Sequence, residues 1–435
     1  MSAVGSFGTQ QTAKCARSDW LKDITSILLV LYCLTFATTR FWGIWPLVSI
    51  CILMTANVLR NQRIVYLSGQ MPFALLSSCL LLASLYGAMP SSWTIYRDPV
   101  AAIRHWVWLP IVILSANTFF MLFHAHFQKI EKHALKLFAV GLAITELAKK
   151  LSPSDEPYIV EPLIYLLNNA SALLALLFFI FLFRRKRSAV ESILLCTLLL
   201  LISTSTQSQL LALVVVSMLI TGSFKLVNAG LIVALGIFSL IAPFFIGELN
   251  TVDSNTGFRL ILWRDTWSAL IDTYGLGVGY GTEYISNDFT EIHDRYWKIT
   301  PEDADDRLFV GTHSTFYDIA LRNGILGLML FATWFLRTIF QAPKKSPQNA
   351  KLFYATAALL IINNAVNMGF TSMSFCLGTG ACLGLMYYLR QRENAGREGI
   401  IAKKMVELPR LDTNQIDDLF SKLENWTIEL KQHWH

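Results

Sequence analysis

The segment from Val310 to Leu328, VGTHSTFYDIALRNGILGL, joins a polar stretch to a long apolar run. We expect a helical segment after His313 and a turn at Asn323 and Gly324. The apolar run Ile325–Phe340 then enters the membrane, which places the histidine at the bilayer edge with water on one side. A neutral imidazole, whose unperturbed pKa is about 6.5, can take the proton of a hydroxyl nucleophile. The alternative is a solvated histidine beside a helix cap.

The composition is that of a membrane protein. Of the 435 residues, 54% are hydrophobic and 15% are charged, and the mean hydropathy is +0.47. This balance lies outside that of soluble domains. The net charge of +6 records topology, because cytoplasmic loops carry an excess of Lys and Arg. We therefore exclude nucleic acid as a partner.

The seven cysteines form no C-x-x-C pair and mostly fall inside apolar runs. Such cysteines belong to a helical core, and the pattern predicts neither a disulfide framework nor a zinc site.

The hydropathy pattern predicts an all-α polytopic membrane protein with about twelve transmembrane helices and one large outer loop. The apolar runs that are long enough, or nearly long enough, to cross a bilayer are Ile24–Thr38, Phe41–Val58, Met71–Met89, Trp106–Phe123, His133–Ala148, Leu163–Phe183, Ala189–Ser203, Ser208–Thr221, Leu226–Ile246, Thr315 or Ile325 to Phe340, Leu352–Phe370 and Ser372–Leu389. The first pair is the least distinct, because Arg40 separates its two members.

Basic residues between these runs set the orientation, with both termini in the cytoplasm. The predicted cytoplasmic loops contain Arg60, Arg63, Lys129, Lys132, Arg184, Arg185, Lys186, Arg187, Lys225, Lys344, Lys345, Lys351, Arg390 and Arg392. We divide the chain into a cytoplasmic N-terminus (1–23), nine transmembrane helices (24–247), a large outer loop (248–314), three further helices (315–390) and a cytoplasmic tail (391–435). From Thr413 the tail has the pattern of an amphipathic helix, either folded onto the cytoplasmic surface or binding a partner.

The outer loop contains an amphipathic segment with two arginines, Arg259 and Arg264, followed by the glycine run YGLGVGYGT. Glycines permit a tight turn against a neighbouring surface. They do not form a dinucleotide fingerprint here, because the chain offers no strand-turn-helix unit. An arginine at the membrane face can bind a phosphate in bidentate geometry, and the alternative is a salt-bridged surface arginine.

Acidic residues are frequent in the second half of the loop: Asp288, Glu291, Asp294, Glu302, Asp303, Asp305 and Asp306. Carboxylates bind hard cations, but these residues have no ligand spacing that we recognise. We interpret them as a solvated or sugar-binding surface and predict no metal.

Four residues give the chain a family resemblance. His313 and Ser314, followed after nine residues by Gly324 and after two more by Gly327, resemble the H-[NSQ]-x9-G-x-x-G signature of the O-antigen ligase and polymerase superfamily. The segment T-G-F-R-L-I-L-W with the G-x-G-x-G run after it is similar to the other half of that family's large periplasmic loop.

The resemblance implies a membrane glycosyltransferase that works without a cofactor or metal. Such enzymes transfer a glycan from undecaprenyl diphosphate to an acceptor hydroxyl at the periplasmic face of the bacterial inner membrane. By that similarity His313 is the base, Ser314, Gly324 and Gly327 complete its motif, and Arg259 binds the diphosphate. Other candidate bases are His293, Asp294 and Asp318.

One position departs from the family pattern. The family's ligases carry an arginine after a T-Q-S triplet, whereas Thr206–Ser208 is followed here by Gln209. Glutamine can donate hydrogen bonds to a phosphate but adds no charge. A second cation must therefore compensate, and the candidates on the outer side are Arg264, Arg97, Arg104 and Lys149.

Three functions are compatible with these features. The first choice is an O-antigen ligase, whose acceptor is lipid A core in lipopolysaccharide biosynthesis. The close alternative is a polysaccharide polymerase, whose acceptor is the growing glycan. A transporter of lipid-linked sugars is the remote alternative, since it should carry charged groups deep in its spans, whereas the ionisable residues here are concentrated in the outer loop.

Overall fold

The computed structural model describes residues 71–85, 99–151, 171–184, 188–202, 206–245, 254–281, 312–366 and 373–394. Over these ranges the protein is helical and contains no strand. The first two predicted spans, the acidic loop residues, His293, Arg97 and the tail from residue 395 onward lie outside the described residues. The all-helical prediction is confirmed for the described part of the chain.

The helices are numbered here in chain order. They are α1 (Met71–Leu85), α2 (Pro99–Trp106), α3 (Trp108–Leu151), α4 (Ser171–Arg184), α5 (Ala189–Ile202), α6 (Thr206–Thr221), α7 (Phe224–Ile241), α8 (Ser254–Asp272), α9 (Thr315–Phe340), α10 (Pro347–Val366) and α11 (Met373–Asn394). A short 3₁₀ helix, Ala242–Phe245, follows α7.

By length and composition alone, three helices among the described residues qualify as candidate membrane spans: Trp108–Ala143, Phe224–Phe244 and Thr315–Phe340. Shorter apolar helices coincide with other predicted spans, including α4, α5 and α6. This agrees with a membrane protein.

Helix α3 covers 44 residues, and its contacts show that it folds back on itself. Its first half runs parallel to α11 and α4, whereas its second half runs antiparallel to α4. The contacts that fix these directions are Ser115 with Gly380, Phe127 with Tyr388, Ala172 with Gly378, Arg184 with Phe127, Glu131 with Arg184 and Phe138 with Phe178. The chain reverses near Lys129–Lys132, where the sequence predicts a loop between two spans.

The main core lies between α3, α4, α10 and α11, where the largest fully buried side chains are phenylalanines. Helix α11 approaches α3 closely at Gly380 and Gly384. A Cβ atom on Gly384 would lie 2.7 Å from the Cβ atom of Phe119. Small residues at such crossings let membrane helices approach closely, so that van der Waals contacts hold them together where the hydrophobic effect does not act.

Helix α9 is bent into two segments at Gly324, whose φ of 68° and ψ of −171° are not helical. The first segment folds back on the second, because the ring of Phe316 lies 5.4 Å from that of Phe335 and 5.7 Å from that of Phe331. The turn predicted at Asn323 and Gly324 is therefore confirmed, and the straight apolar segment begins at Ile325.

Helix α10 runs from one end of the bundle to the other. Near its start, Asn349 accepts a hydrogen bond from Arg184. Near its end, Asn364 accepts one from Thr315, about 22 Å further along a helix that rises 1.5 Å per residue. Basic residues gather at the Arg184 end: Lys225, Lys344, Lys345, Lys351, Arg390 and Arg392. His313 lies at the opposite end, next to Thr315.

Candidate functional site

The site is built at the start of α9, where Thr312, His313 and Ser314 lead into the helix. Asp318, in the first turn, accepts hydrogen bonds at one carboxylate oxygen, Oδ1, from the backbone N–H and the hydroxyl of Thr312, each at 2.8 Å. Thr312, Ser314 and Asp318 are all buried. The chain therefore approaches the helix along a fixed path.

His313 has the left-handed backbone conformation, with a φ of 54°. This region is costly for a residue with a Cβ atom, by roughly 1–2 kcal/mol. Such a conformation persists only where the surrounding structure imposes it, and both neighbours of His313 are buried. The histidine itself is half-buried, so the loop holds its side chain at the boundary between the interior and the surface.

Helix α8 packs directly against this loop through Trp263. The indole Nε1 of Trp263 donates a hydrogen bond to the carbonyl of Thr312 at 3.0 Å. Its ring stacks on Tyr317 with centroids 4.9 Å apart and planes 5° from parallel. The hydroxyl of Tyr317 donates to the carbonyl of Ser239 at 2.6 Å and accepts from Trp267 at 3.2 Å. These contacts join the T-G-F-R-L-I-L-W segment to the His313 loop.

The two arginines of α8 differ in their surroundings. Arg259 lies one helical turn before Trp263, and residues four apart share a helix face, so it lies on the side of α8 that meets the His313 loop. It is half-buried. The side chain of Arg264 is 44% exposed, and its guanidinium lies 3.4 Å from the carboxylate of Asp265.

The glycine run docks onto the bend of α9 by backbone hydrogen bonds. In a regular helix the N–H of Ile325 would bond to the carbonyl of Leu321, and the bend breaks that bond. Both groups find partners in the run: Val278 N–H donates to Leu321 at 2.7 Å, and Ile325 N–H donates to Gly275 at 2.9 Å.

The close approach between the glycine run and the bend requires glycine on both sides. A Cβ atom on Gly277 would lie 2.7 Å from the backbone nitrogen of Gly324, and one on Gly324 would lie 2.3 Å from the carbonyl oxygen of Gly275. All three residues have a positive φ. A Cβ atom on Gly327 would lie 2.2 Å from that of Asn323, across the same bend. The bend of α9 therefore requires glycine at both position 324 and position 327.

Tyr280, at the end of the glycine run, connects it to α1. Its hydroxyl hydrogen bonds with Ser77 and lies 2.9 Å from the side-chain oxygen of Asn323, and its backbone N–H donates to Ser84 at 2.9 Å. Burial raises the pKa of the Tyr280 phenol, so the hydroxyl stays protonated. This network fixes the run and the bend of α9 to the rest of the bundle.

An apolar cavity of about 200 Å³ lies beneath the site, between α7, α8, α9 and α10. Ser314, Tyr317 and Trp263 line it next to the His313 loop, and Phe335 and Ile361 line it farther into the bundle. The cavity therefore connects the polar start of α9 with the apolar interior of the helices.

Gln209 lies in the first turn of α6 and is exposed. Helix α6 ends beside α7 at the basic end of the bundle, so its first turn lies toward the other end. The hydrogen bond from Trp263 to Thr312 places the helix of Arg259 and Arg264 against the loop of His313. Within the described residues, no three His, Cys, Asp or Glu side chains are grouped as metal ligands would be.

Two contributors to the site are not apparent from the sequence. Trp263 belongs to the motif but has no assigned role there, and Asp318 is predicted only as a substitute base. Acidic residues are enriched in the first turn of a helix, where Asp318 lies, because they interact favourably with the helix N-terminus. That signal could have identified Asp318 as the residue that holds the loop.

A family model described as O-antigen ligase matches residues 166–332. The matched segment contains α8, the glycine run and the start of α9. Over this segment the chain is similar to the O-antigen ligase family. This confirms the resemblance carried by His313, Ser314, Gly324 and Gly327. No curated protein and no solved structure matches the chain.

Proposed function

We propose that the protein is a membrane glycosyltransferase that transfers a glycan from undecaprenyl diphosphate to an acceptor hydroxyl at the periplasmic face of the bacterial inner membrane. The observation that carries the proposal is the hydrogen bond from Trp263 to Thr312. It brings the helix of Arg259 against the loop of His313, which supports a cation and a base acting at one place.

In the proposed reaction, the neutral imidazole of His313 takes the proton of the acceptor hydroxyl. The acceptor oxygen forms a bond to the anomeric carbon while the bond from that carbon to the diphosphate oxygen breaks. The diphosphate leaves with the electron pair of that bond. One displacement inverts the anomeric centre, and no covalent enzyme intermediate or metal is required. Turnover should fall as acidic pH protonates the imidazole, because only the neutral ring accepts a proton.

Arg259 is proposed to bind the departing diphosphate. A guanidinium offers two parallel N–H donors that match phosphate oxygens. Gln209 is proposed to add neutral hydrogen bonds from the start of α6, and Arg264, which is exposed on the same helix as Arg259, is the proposed second cation.

The apolar cavity supports a lipid-linked donor. It is lined almost entirely by apolar side chains and reaches Ser314, next to the proposed base. A lipid chain in or beside this space would place its diphosphate near the His313 loop. The basic end of the bundle supports the orientation, since Lys and Arg favour the cytoplasmic side. The termini would then lie in the cytoplasm and His313 toward the periplasm.

The proposed acceptor is lipid A core, which makes the protein an O-antigen ligase. The experiment that tests this uses purified protein in vesicles with lipid-linked glycan, with and without lipid A core, and measures product size. A single addition to lipid A core is the expected result. A ladder of longer glycans without lipid A core would show a polymerase instead, and no transfer in either arm would overturn the proposed function.

A further inference from the structure

The carboxylate of Asp318 binds Thr312, the residue that precedes the proposed base. Its Oδ1 lies 2.8 Å from both the backbone nitrogen and the hydroxyl oxygen of Thr312, and only 5% of the residue is exposed. A hydrogen bond to a charged acceptor is about twice as strong as one between neutral groups. Asp318 therefore holds Thr312 more firmly than a neutral side chain would.

Thr312 receives a second constraint from the other side. Its carbonyl accepts the hydrogen bond from Trp263 at 3.0 Å, so N–H and C=O of the same residue are both held by buried side chains. Its hydroxyl also lies 2.9 Å from the carbonyl of Ser314, and with a single proton it donates to that carbonyl or to Asp318 at any one time. The Thr312 hydroxyl can therefore bind Ser314, the residue on the other side of His313.

His313 lies between these fixed neighbours in the left-handed conformation. Since an L-residue adopts that conformation only when its surroundings impose it, the direction of the imidazole depends on Thr312. We propose that Asp318, acting through Thr312, is a positioning residue that sets the orientation of the His313 imidazole. The inference rests on the proposed function for its kinetic consequence. It assigns Asp318 a role other than that of a base, because its buried carboxylate is already engaged by Thr312.

The kinetic test compares purified variants in the vesicle assay with lipid-linked glycan and lipid A core. Thr312→Val removes the hydroxyl and keeps the shape, and should lower kcat by about tenfold or more while KM for the donor changes less than about twofold. Thr312→Ser restores the hydroxyl and should restore kcat. Asp318→Asn, which keeps an acceptor oxygen without the charge, should fall between wild type and Asp318→Ala.

The matched control is Thr356→Val in α10. Thr356 is buried and bonds only to a carbonyl of its own helix among the described contacts, so its loss should leave kcat and KM unchanged. Equal losses in Thr356→Val and Thr312→Val would overturn the inference, since any buried threonine would then have the same effect.

A double variant separates positioning from base catalysis. If Asp318 acts through His313, Asp318→Ala added to His313→Ala should cause no further loss of the residual turnover, because interacting residues are not additive. A multiplied loss would overturn the inference.

A second measurement does not depend on glycan transfer. In protein with isotope-labelled histidine, the imidazole NMR resonance of His313, assigned by its absence in His313→Ala, should shift in Thr312→Val and Asp318→Ala but not in Thr356→Val. If wild-type protein transfers no glycan yet the resonance shifts, the proposed function fails and the positioning role stands. An unmoved resonance in both variants would overturn the positioning role whatever the enzymatic result.

Discussion

Arg259 lies one turn before Trp263 in α8, on the face that contacts the His313 loop. If it binds the diphosphate through two parallel N–H donors, Arg259→Lys should lose most activity although the charge remains, because an ammonium cannot reproduce that geometry. The measurement is kcat in the vesicle assay, with Arg337→Lys at the exposed end of α9 as the control. Near-normal turnover of Arg259→Lys would make Arg264 the better candidate for the diphosphate contact.

By the family resemblance, Gln209 takes the position of an arginine in the ligases. If the start of α6 faces the diphosphate, Gln209→Arg should leave turnover unchanged or increase it, since a charged donor binds phosphate more strongly than a neutral one. Turnover and the KM for the donor are the quantities to measure. A folded but inactive Gln209→Arg protein would mean that this turn has another role.

At single positions, the turn at Gly324 was predictable from local chain chemistry. The family resemblance marks His313, Gly324 and Gly327 but does not say how the surrounding structure holds them. The left-handed conformation of His313 does not follow from the sequence, because one of the contacts that hold its neighbour Thr312 comes from Trp263 in α8, 49 residues from Thr312 in the chain. Contacts between distant segments leave no periodic pattern in the sequence.

Among the structural elements, the glycine run and the bend of α9 form one unit, because each supplies the hydrogen-bond partners that the other lacks. Gly277→Ala should therefore reduce the amount of folded protein in the membrane and, with it, the activity. The added Cβ would lie 2.7 Å from backbone atoms on α9, at a residue with a φ of 76°. Protease protection and detergent thermal stability are suitable measurements.

The matched control for this prediction is Gly230→Ala in α7. A Cβ atom on Gly230 meets nothing within 4 Å, and replacing glycine by alanine in a helix favours the helix by about 1 kcal/mol. The control should be as stable as wild type or more stable. Equal stability of the two variants would show that the docking of the run onto α9 does not matter.

The elements themselves were predictable where hydropathy alone decides them. The turn between the two halves of α3 follows from Lys129 and Lys132, which interrupt the apolar pattern. The first part of the outer loop was predicted only as an amphipathic segment, whereas it forms α8, whose Leu260–Trp263 stretch is buried against α9. A helix that packs on other helices through one face has apolar residues at intervals and not in one long run. Hydropathy therefore does not identify it as part of the bundle.

For the whole molecule, the separation of the basic end from the His313 end predicts its orientation in the membrane. A cysteine placed at Lys345 should react with a membrane-impermeant thiol reagent only from the cytoplasmic side. A cysteine placed at Leu276, which is 59% exposed in the glycine run, should react only from the periplasmic side. Labelling in intact and opened cells, relative to the parent protein, makes this measurement. Labelling of both positions from one side would contradict the orientation.

The central claim is that His313 is the base of a glycan transfer, and the turnover of purified His313→Ala protein tests it most directly. General-base assistance contributes about 10²–10⁴-fold to a rate. Transfer to lipid A core should therefore fall by at least about 100-fold, while the protein still inserts in the membrane and binds the lipid-linked donor. Turnover above about a tenth of the wild-type value would contradict the claim and leave His313 as a residue of the helix start, with the base elsewhere in the outer loop.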